Sequence, residues 1–553
     1  MPVQFEIDED DIILPSRPVY DLLPHQARAL EFISKRETDL QTDICGGLLG
    51  MDMGLGKTFT MLSQVVADAN PVAPTLVVCP RTAIFTWQTE IKKFFGDQLR
   101  VYIYRKDTSN NIHTLTKEQL LSYDVVITNY DYVRTLATHF NFYSRVNYNG
   151  GANCAQAPVC KETTGERLLF SICWNRIIAD ESHNFSNYKS ALWKGMISLC
   201  GVKKWCLSGT PIRNYVDDLY GQFKFLGYQD PYFDVKTFKV FGVDQYMFYM
   251  TYEKANVKLP PSKHLQIECP FDERQSQIYE YYINKTDKEF NNFTIGSSNF
   301  ARVLTLFLRL RQVCVAPYII TPQSERGNDK KKKTQKDMEL YRKAQEKLDE
   351  HTDGLATWVN DSNGSSGLQS SKINKTLDII KSVPAGEKIV VFTMFNRAID
   401  LLIKGLKTRN IEKRHVMIDG SVVGFNRTNA LNIFKQGNAD ILFITYKVGA
   451  ESLNLTEANH LVLIEPWWSP AVINQARARI HRMGQTKPVT IYELFIPNRG
   501  PVKSIEEAII EICTNKMFEA EEFLKTGKKE KGERKLDKST MKELLNTVKG
   551  YGR

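Results

Sequence analysis

The sequence predicts an α/β protein of two mainly parallel sheets flanked by helices, with helical insertions between them. Short apolar runs alternate with amphipathic helical stretches in two arrays, one ending near residue 226 and one starting near residue 372. The first array opens on a Gly-rich turn, and between the arrays the pattern turns helical and then charged. At 553 residues the chain exceeds one hydrophobic core, and a 42% hydrophobic content supplies two. The expected boundaries are an acidic N-terminal extension (1–20), a first lobe (21–226), a helical insertion and flexible linker (227–371), a second lobe (372–524) and a basic tail (525–553).

The first lobe is organised around GGLLGMDMGLGKTFT, Gly46 to Thr60, where an apolar run precedes Gly54, Gly56, Lys57 and Thr58 and a helix-compatible segment follows. That is the strand, turn and helix start of a phosphate-binding loop. Glycines let backbone N–H groups close on phosphate oxygens, and the helix N-terminus adds partial positive charge. Lys57 brings a point charge to the β- and γ-phosphates, and the Thr58 hydroxyl can ligate Mg²⁺. The strict pattern asks for Gly where this chain has Met51.

Upstream, Pro24 starts a helical pattern with His25 and Gln26 in its first turn. The Gln26 amide matches the N6 and N7 edge of adenine, and it equally fits a helix-capping role. Downstream, TLVVCP (Thr75 to Pro80) reads as a strand buried on both faces, followed by an amphipathic helix carrying Trp87 and Phe95. The unit recurs at Asp124, Arg176 and Lys203, with a polar insertion at Asn147 to Gly165. Asp180-Glu181-Ser182-His183 ends one such run, so one carboxylate can serve Mg²⁺ and a second an attacking water. Ser208-Gly209-Thr210 makes a turn after the next, able to connect a nucleotide site to a bound strand.

ERQSQIYEYYINK and VLTLFLRLRQVCVAPYI read as helices, the latter with Arg309 and Arg311 off its apolar face. Lys330 to Lys333 begin a charged, then Gly/Ser-rich stretch, best read as a solvated linker. The second array has strands at Ile389, Arg414, Asp440, Leu461 and Thr490 and no phosphate loop. In NQARARIHRMGQ, Arg479 and Arg482 stand three apart, which on a helix places both on one face; that suits an arginine finger toward a γ-phosphate, and on a lone helix it equally suits surface residues or phosphate-backbone contacts.

The net charge of +10 favours a polyanionic partner. Ten cysteines without a C-x-x-C pair speak against structural zinc and for a reducing compartment. No apolar run reaches the roughly 18 residues of a bilayer span, so no membrane association is expected.

Taken in order, LLPHQ (22–26), DMGLGKT (52–58), TLVVCPRTAIFTWQTE (75–90), DVVITNY (124–130), DESH (180–183), LSGTPIRN (207–214), LRLRQVCVAP (308–317), SSKINKTLDII (370–380), LNLTEAN (453–459) and QARARIHRMGQ (475–485) resemble the SNF2 group of superfamily 2 helicase-like ATPases. The resemblance implies two RecA-like lobes with SNF2-type insertions, ATP and Mg²⁺, and double-stranded DNA as partner. It assigns ATP binding to Gln26 and to Met51, Asp52, Met53, Gly54, Leu55, Gly56, Lys57 and Thr58, the DEAH-type box to Asp180, Glu181, Ser182 and His183, and metal to Thr58 and Asp180. Lys57, Asp180, Glu181, Arg479 and Arg482 would carry hydrolysis, and Ser208, Gly209, Thr210, Gly449 and Gln475 would couple it to DNA.

The wording is most similar to the Rad5/Rad16 and transcription-termination-factor branch. Residues 319–370, where Rad5/Rad16 proteins carry a RING domain, contain no cysteine, so ubiquitin-ligase activity is not implied. The short flanks also resemble compact forms of large DNA viruses, such as the baculovirus global transactivator. Departures fall at Gly50, Met51, Asp52, Ser182, Ala450, Ser452 and Ala478, and they touch rate and coupling more than catalysis. The implied activity is ATP-driven movement along duplex DNA that displaces bound proteins such as histones or transcription complexes, in a nucleus or a cytoplasmic viral factory. A non-hydrolysing DNA-binding scaffold and a strand-separating DNA or RNA helicase are the rivals.

Overall fold

The computed structural model describes residues 21–39, 44–68, 73–105, 114–139, 141, 160–228, 244–291, 299–320, 370–422, 424–449, 453–498 and 504–526. The acidic extension, Lys330 to Lys333 and the basic tail lie outside these residues, as does most of the Asn147 to Gly165 insertion. The chain divides into two compact units, one of the described residues up to Leu259 with those from Lys516 onward, the other Pro260–Asn515.

The first unit holds a seven-stranded parallel sheet in the order β3-β4-β2-β5-β6-β1-β7. Its strands are β1 (Gly46–Met51), β2 (Thr75–Cys79), β3 (Val101–Ile103), β4 (Val125–Asn129), β5 (Cys173–Asp180), β6 (Cys200–Ser208) and β7 (Met247–Met250). Strands β1, β2 and β4 are buried at every residue, as continuous apolar runs between two helical layers require. One face builds a core with Leu48, Leu76, Val78, Val126, Ile177 and Ala179. Helices α1 (Pro24–Thr38), α2 (Lys57–Ala67), α3 (Ala83–Phe95) and α4 (Asp218–Leu226) lead into or out of the strand ends that carry the motifs.

The second unit holds a six-stranded parallel sheet, β10-β11-β9-β12-β13-β8. Its strands are β8 (Ser262–Glu268), β9 (Ile389–Thr393), β10 (His415–Ile418), β11 (Ile441–Thr445), β12 (His460–Leu463) and β13 (Val489–Phe495). Alternate residues feed two cores. Val391, Phe443 and Val462 face one shared with α5 (Glu273–Asn291), α6 (Asn299–Val315) and α7 (Ser371–Ser382), and Val390, Leu442 and Leu461 face the other. Each unit is a RecA-like layered sheet, and α5 and α6 are the helical insertion, packed on the second.

The stretch 227–371 is therefore not uniform: β7 completes the first sheet and β8 pairs with β13 along its whole length in the second. No described helix is long and apolar enough to cross a membrane.

Candidate functional site

The phosphate-binding turn grows out of the C-terminal end of β1. Gly54 and Gly56 take φ of +95° and +88°, and Gly56 is the left-handed N-cap of α2. The positive φ of Gly56 favours glycine, and a Cβ there would stand 2.3 Å from Gln26 Nε2 and displace that amide. Lys57 donates to Met51 O at 2.6 Å and Asp52 O at 3.3 Å, drawing its ammonium into the turn that it ends. Thr58 is half-buried in the first turn of α2.

Helix α1 braces the turn from outside. His25 Nε2 bonds Leu55 O at 3.0 Å and the Gln26 amide donates to the same carbonyl at 3.2 Å. Gln26 Oε1 accepts from Leu23 N at 3.0 Å. Gln26 therefore caps its helix, the second of the two roles read from the sequence, while lying against the turn.

Strand β5 delivers Asp180 and Glu181 beside it. Asp180 Oδ2 accepts from the Trp87 indole N–H at 2.9 Å, and Tyr130 OH donates to Asp180 O at 2.6 Å. Burial, then the neighbouring Glu181, push the Asp180 carboxyl above its ordinary range, while Trp87 and Lys57 pull it back. Glu181 sits at φ +52°, a strained conformation for a side-chain-bearing residue, and its Oε2 is buried without a hydrogen-bond partner.

Ser182 Oγ donates to Gln222 Oε1 at 2.6 Å, and the Gln222 amide donates to Pro211 O at 2.8 Å. His183 Nδ1 contacts Ser208 Oγ at 3.0 Å, and that hydroxyl accepts from Thr210 N at 3.1 Å. Burial, then Arg213, lower the His183 pKa to about 3, so the ring is neutral. Its 3.4 Å approach to Glu181 Oε2 is therefore not an ion pair. A Cβ on Gly209 would lie 2.8 Å from Met53 Cγ and 3.4 Å from Lys57 Nζ. This loop thus meets the DEAH-type box through Ser208 and the phosphate-binding turn beside Gly209.

Sequence reasoning missed Tyr252, which lies just beyond β7. Its N–H donates to Asp52 Oδ2 at 2.9 Å and its hydroxyl to Met53 O. From the sequence Trp87 reads only as a helix residue, and nothing local indicates that its indole meets Asp180. Burial raises the Asp52 pKa, against the Tyr252 N–H and Lys57.

In the second unit the helix α8 (Pro470–Arg477) ends before both candidate arginines. The expectation that Arg479 and Arg482 share a helical face is corrected: turn hydrogen bonds such as Arg479 N to Ala476 O at 3.2 Å and His481 N to Arg477 O at 3.1 Å carry the chain onward. They nonetheless converge, each donating to Leu453 O, at 3.3 and 3.4 Å. Gln475 is buried in α8, and Gly449 packs where a Cβ would meet Phe392 at 2.4 Å. Ala450 and Ser452 lie outside the described residues. Deeper in, Glu465 accepts from Thr393 Oγ1 at 3.1 Å and from Met394 N, and burial raises its pKa to about 7.

Residues 25–319 match the family described as SNF2-related domain, and residues 371–484 that described as Helicase conserved C-terminal domain. The chain is 31% identical to a helicase-named protein, 172L, of Invertebrate iridescent virus 6, over 98% of this chain and 97% of that protein. It is 24% identical to a protein named a global transactivator in Orgyia pseudotsugata multicapsid polyhedrosis virus, covering 88% and 89%. It is 25% identical to the DNA repair protein RAD5 of Yarrowia lipolytica, covering 85% of this chain but 55% of that one.

Proposed function

The chain belongs to the SNF2-related family, and from that premise we propose that it is an ATP-hydrolysing motor that moves along double-stranded DNA and displaces or remodels DNA-bound protein. One observation carries the reading. Around a single turn the first unit gathers Lys57, the Asp180–Glu181 carboxylates and the Ser208–Thr210 loop, which is the equipment of phosphoryl transfer to water.

The backbone of Gly54 to Lys57 cradles the β- and γ-phosphates, and Gln26 reads adenine from the brace on the turn. Thr58 and Asp180 would hold Mg²⁺, and the residues fit it: both offer oxygen donors, and the carboxyl of Asp180, raised in pKa by burial and then by its neighbour Glu181, is a site where positive charge is favoured. Bound there, Mg²⁺ would neutralise charge on the phosphate oxygens. Glu181 Oε2, buried without a partner, orients the attacking water. Arg479 and Arg482 stabilise charge developing on the γ-phosphate, coupling hydrolysis to movement of the lobes. DNA is held through its phosphates, so binding is salt-sensitive and weakly dependent on sequence.

The similarity to viral and RAD5 proteins supports a target among transcription, repair or chromatin complexes, in a nucleus or a viral factory. Phosphate release is measured with duplex DNA, single-stranded DNA and RNA in parallel. Duplex DNA should stimulate it most, and no release above a Lys57→Ala control would leave a non-hydrolysing scaffold. A translocase strips the third strand of a triplex and leaves a forked duplex paired, whereas an opened fork would establish a strand-separating helicase.

A further inference from the structure

The turn that grips phosphate is tied to the segment by which the chain leaves the first unit. Strand β7 pairs with β1 from Leu48↔Met247 to Met51↔Met250, so both strands end level. The ladder then continues past the strands: Asp52 N donates to Met250 O at 2.9 Å, and Tyr252 N donates to Asp52 Oδ2 at 2.9 Å. Tyr252 OH reaches over the turn to Met53 O. Tyr252 therefore holds the turn at two successive residues, through its backbone and its ring.

The segment beyond is folded back on itself. Ala255 N donates to Thr251 O at 2.9 Å and Val257 N to Tyr252 O at 3.1 Å, making a compact turn. Arg28 of α1, the helix that braces the phosphate-binding turn from its other side, donates to Lys254 O at 3.4 Å. Seven residues after Tyr252, at Leu259, the first unit ends and the chain enters the second. A force along this segment arrives at Tyr252 before any other residue that touches the turn.

We propose that Tyr252 is a positioning residue that transmits the state of the segment Thr251–Leu259 to Asp52 and Met53, so that DNA-driven movement of the second unit changes how the turn grips nucleotide. Resting on the ATPase reading above, it adds one covalent route, beside the second crossing at Asn515–Lys516, by which DNA engagement reaches the phosphates. The Tyr252 hydroxyl fixes Met53, the residue whose side chain also lies against Gly209. One bond thereby bears on both the phosphate-binding turn and the Ser208–Thr210 loop. Tyr252 acts through Asp52 and Met53, and the effect is on their geometry.

The test is Tyr252→Phe, which keeps the ring and removes the hydroxyl. A second variant inserts Gly-Ser-Gly-Ser after Leu259, slackening the segment and leaving Tyr252 in place. In both, kcat with and without duplex DNA is measured alongside KM for ATP and the melting temperature. The expected result is a fall of about five-fold or more in the ratio of stimulated to basal kcat, with melting unchanged within about 2 °C. A merely structural role would lower melting and depress both rates together, preserving the ratio. A ratio within two-fold of the parent in either variant overturns the proposal. If the parent chain shows no DNA-stimulated hydrolysis, the motor reading fails instead, and the two failures are told apart by that control.

Discussion

Replacing Glu37 with Gln tests what holds the phosphate-binding turn in its frame. Glu37, in the last turn of α1, reaches into the sheet, where its oxygens accept from Arg176 at 2.6 and 2.5 Å, Trp205 Nε1 at 2.8 Å and Gln64 at 3.1 Å. Asp68, the C-cap residue of α2, completes the cluster through Arg176 at 3.2 Å and Lys203 at 2.7 Å. Two helices that flank the turn are thus fastened to β5 and β6 by one set of charges. The Arg176 side chain is wholly buried and that of Glu37 is 2% exposed, so breaking the pair leaves a buried cation rather than a solvated one. Such a loss costs about 3–5 kcal/mol. Asp68 keeps one charge on Arg176, which argues for the lower end, about 3 kcal/mol. At ~2–4 °C per kcal/mol for a unit of this size, the first unit should melt about 6–12 °C earlier.

Differential scanning calorimetry reads this directly, since the transition of the second unit should stay in place. Burial alone would raise the Glu37 pKa, but hydrogen bonds and charge from Arg176, then Lys203, hold it lower. Its stabilisation is therefore complete above the ordinary carboxylate value near ~4.3 and disappears as pH falls through the lowered folded value. The deficit of the variant should shrink in the same window. A shift under about 2 °C at neutral pH would refute the reasoning, because a buried guanidinium would then have lost its main partner at no cost.

Three further outcomes follow from the same geometry. Trp87→Phe removes the donor to Asp180, a charge-assisted bond of about 1.5–3 kcal/mol, so Mg²⁺-dependent nucleotide binding by calorimetry should weaken on the order of 10-fold; an unchanged affinity would separate the indole from the metal site. Gly209→Ala drives a methyl against Met53 and Lys57, and turnover should fall at least about 10-fold (~1.4 kcal/mol) with the fold retained, whereas parent-like turnover would show that the loop can retreat. Glu465, raised to about 7 by burial, penalises folding once ionised, so the second unit should lose stability as pH climbs from about 4 through 7. Glu465→Gln should flatten that slope and gain up to ~3 kcal/mol near pH 8, and parallel melting curves for the two proteins would contradict the assignment.

Much of the fold was legible because strands buried on both faces announce themselves as unbroken apolar runs, as TLVVC and IVVFT do. Strand β8 was not, since SKHLQIE is an edge strand with mostly exposed side chains and carries neither an apolar run nor a clear alternation. The acidic pair and the Gly-rich turn were readable from their local chemistry. Tyr252 was not, because its link to Asp52 spans 200 residues and depends on β7 lying beside β1. Spacing of three put Arg479 and Arg482 together for the wrong reason: the helix stops at Arg477, and a shared carbonyl at Leu453 brings them together instead.

The chain carries seven tryptophans, and Trp87 is buried with its ring nitrogen against the Asp180 carboxylate. Indole emission responds to the electric field across the ring, and a divalent cation arriving at that carboxylate would reverse the sign of the nearest charge. If Mg²⁺ binds at Asp180 as proposed, Trp87 emission would report its arrival in unlabelled material once the Trp87→Phe signal is subtracted.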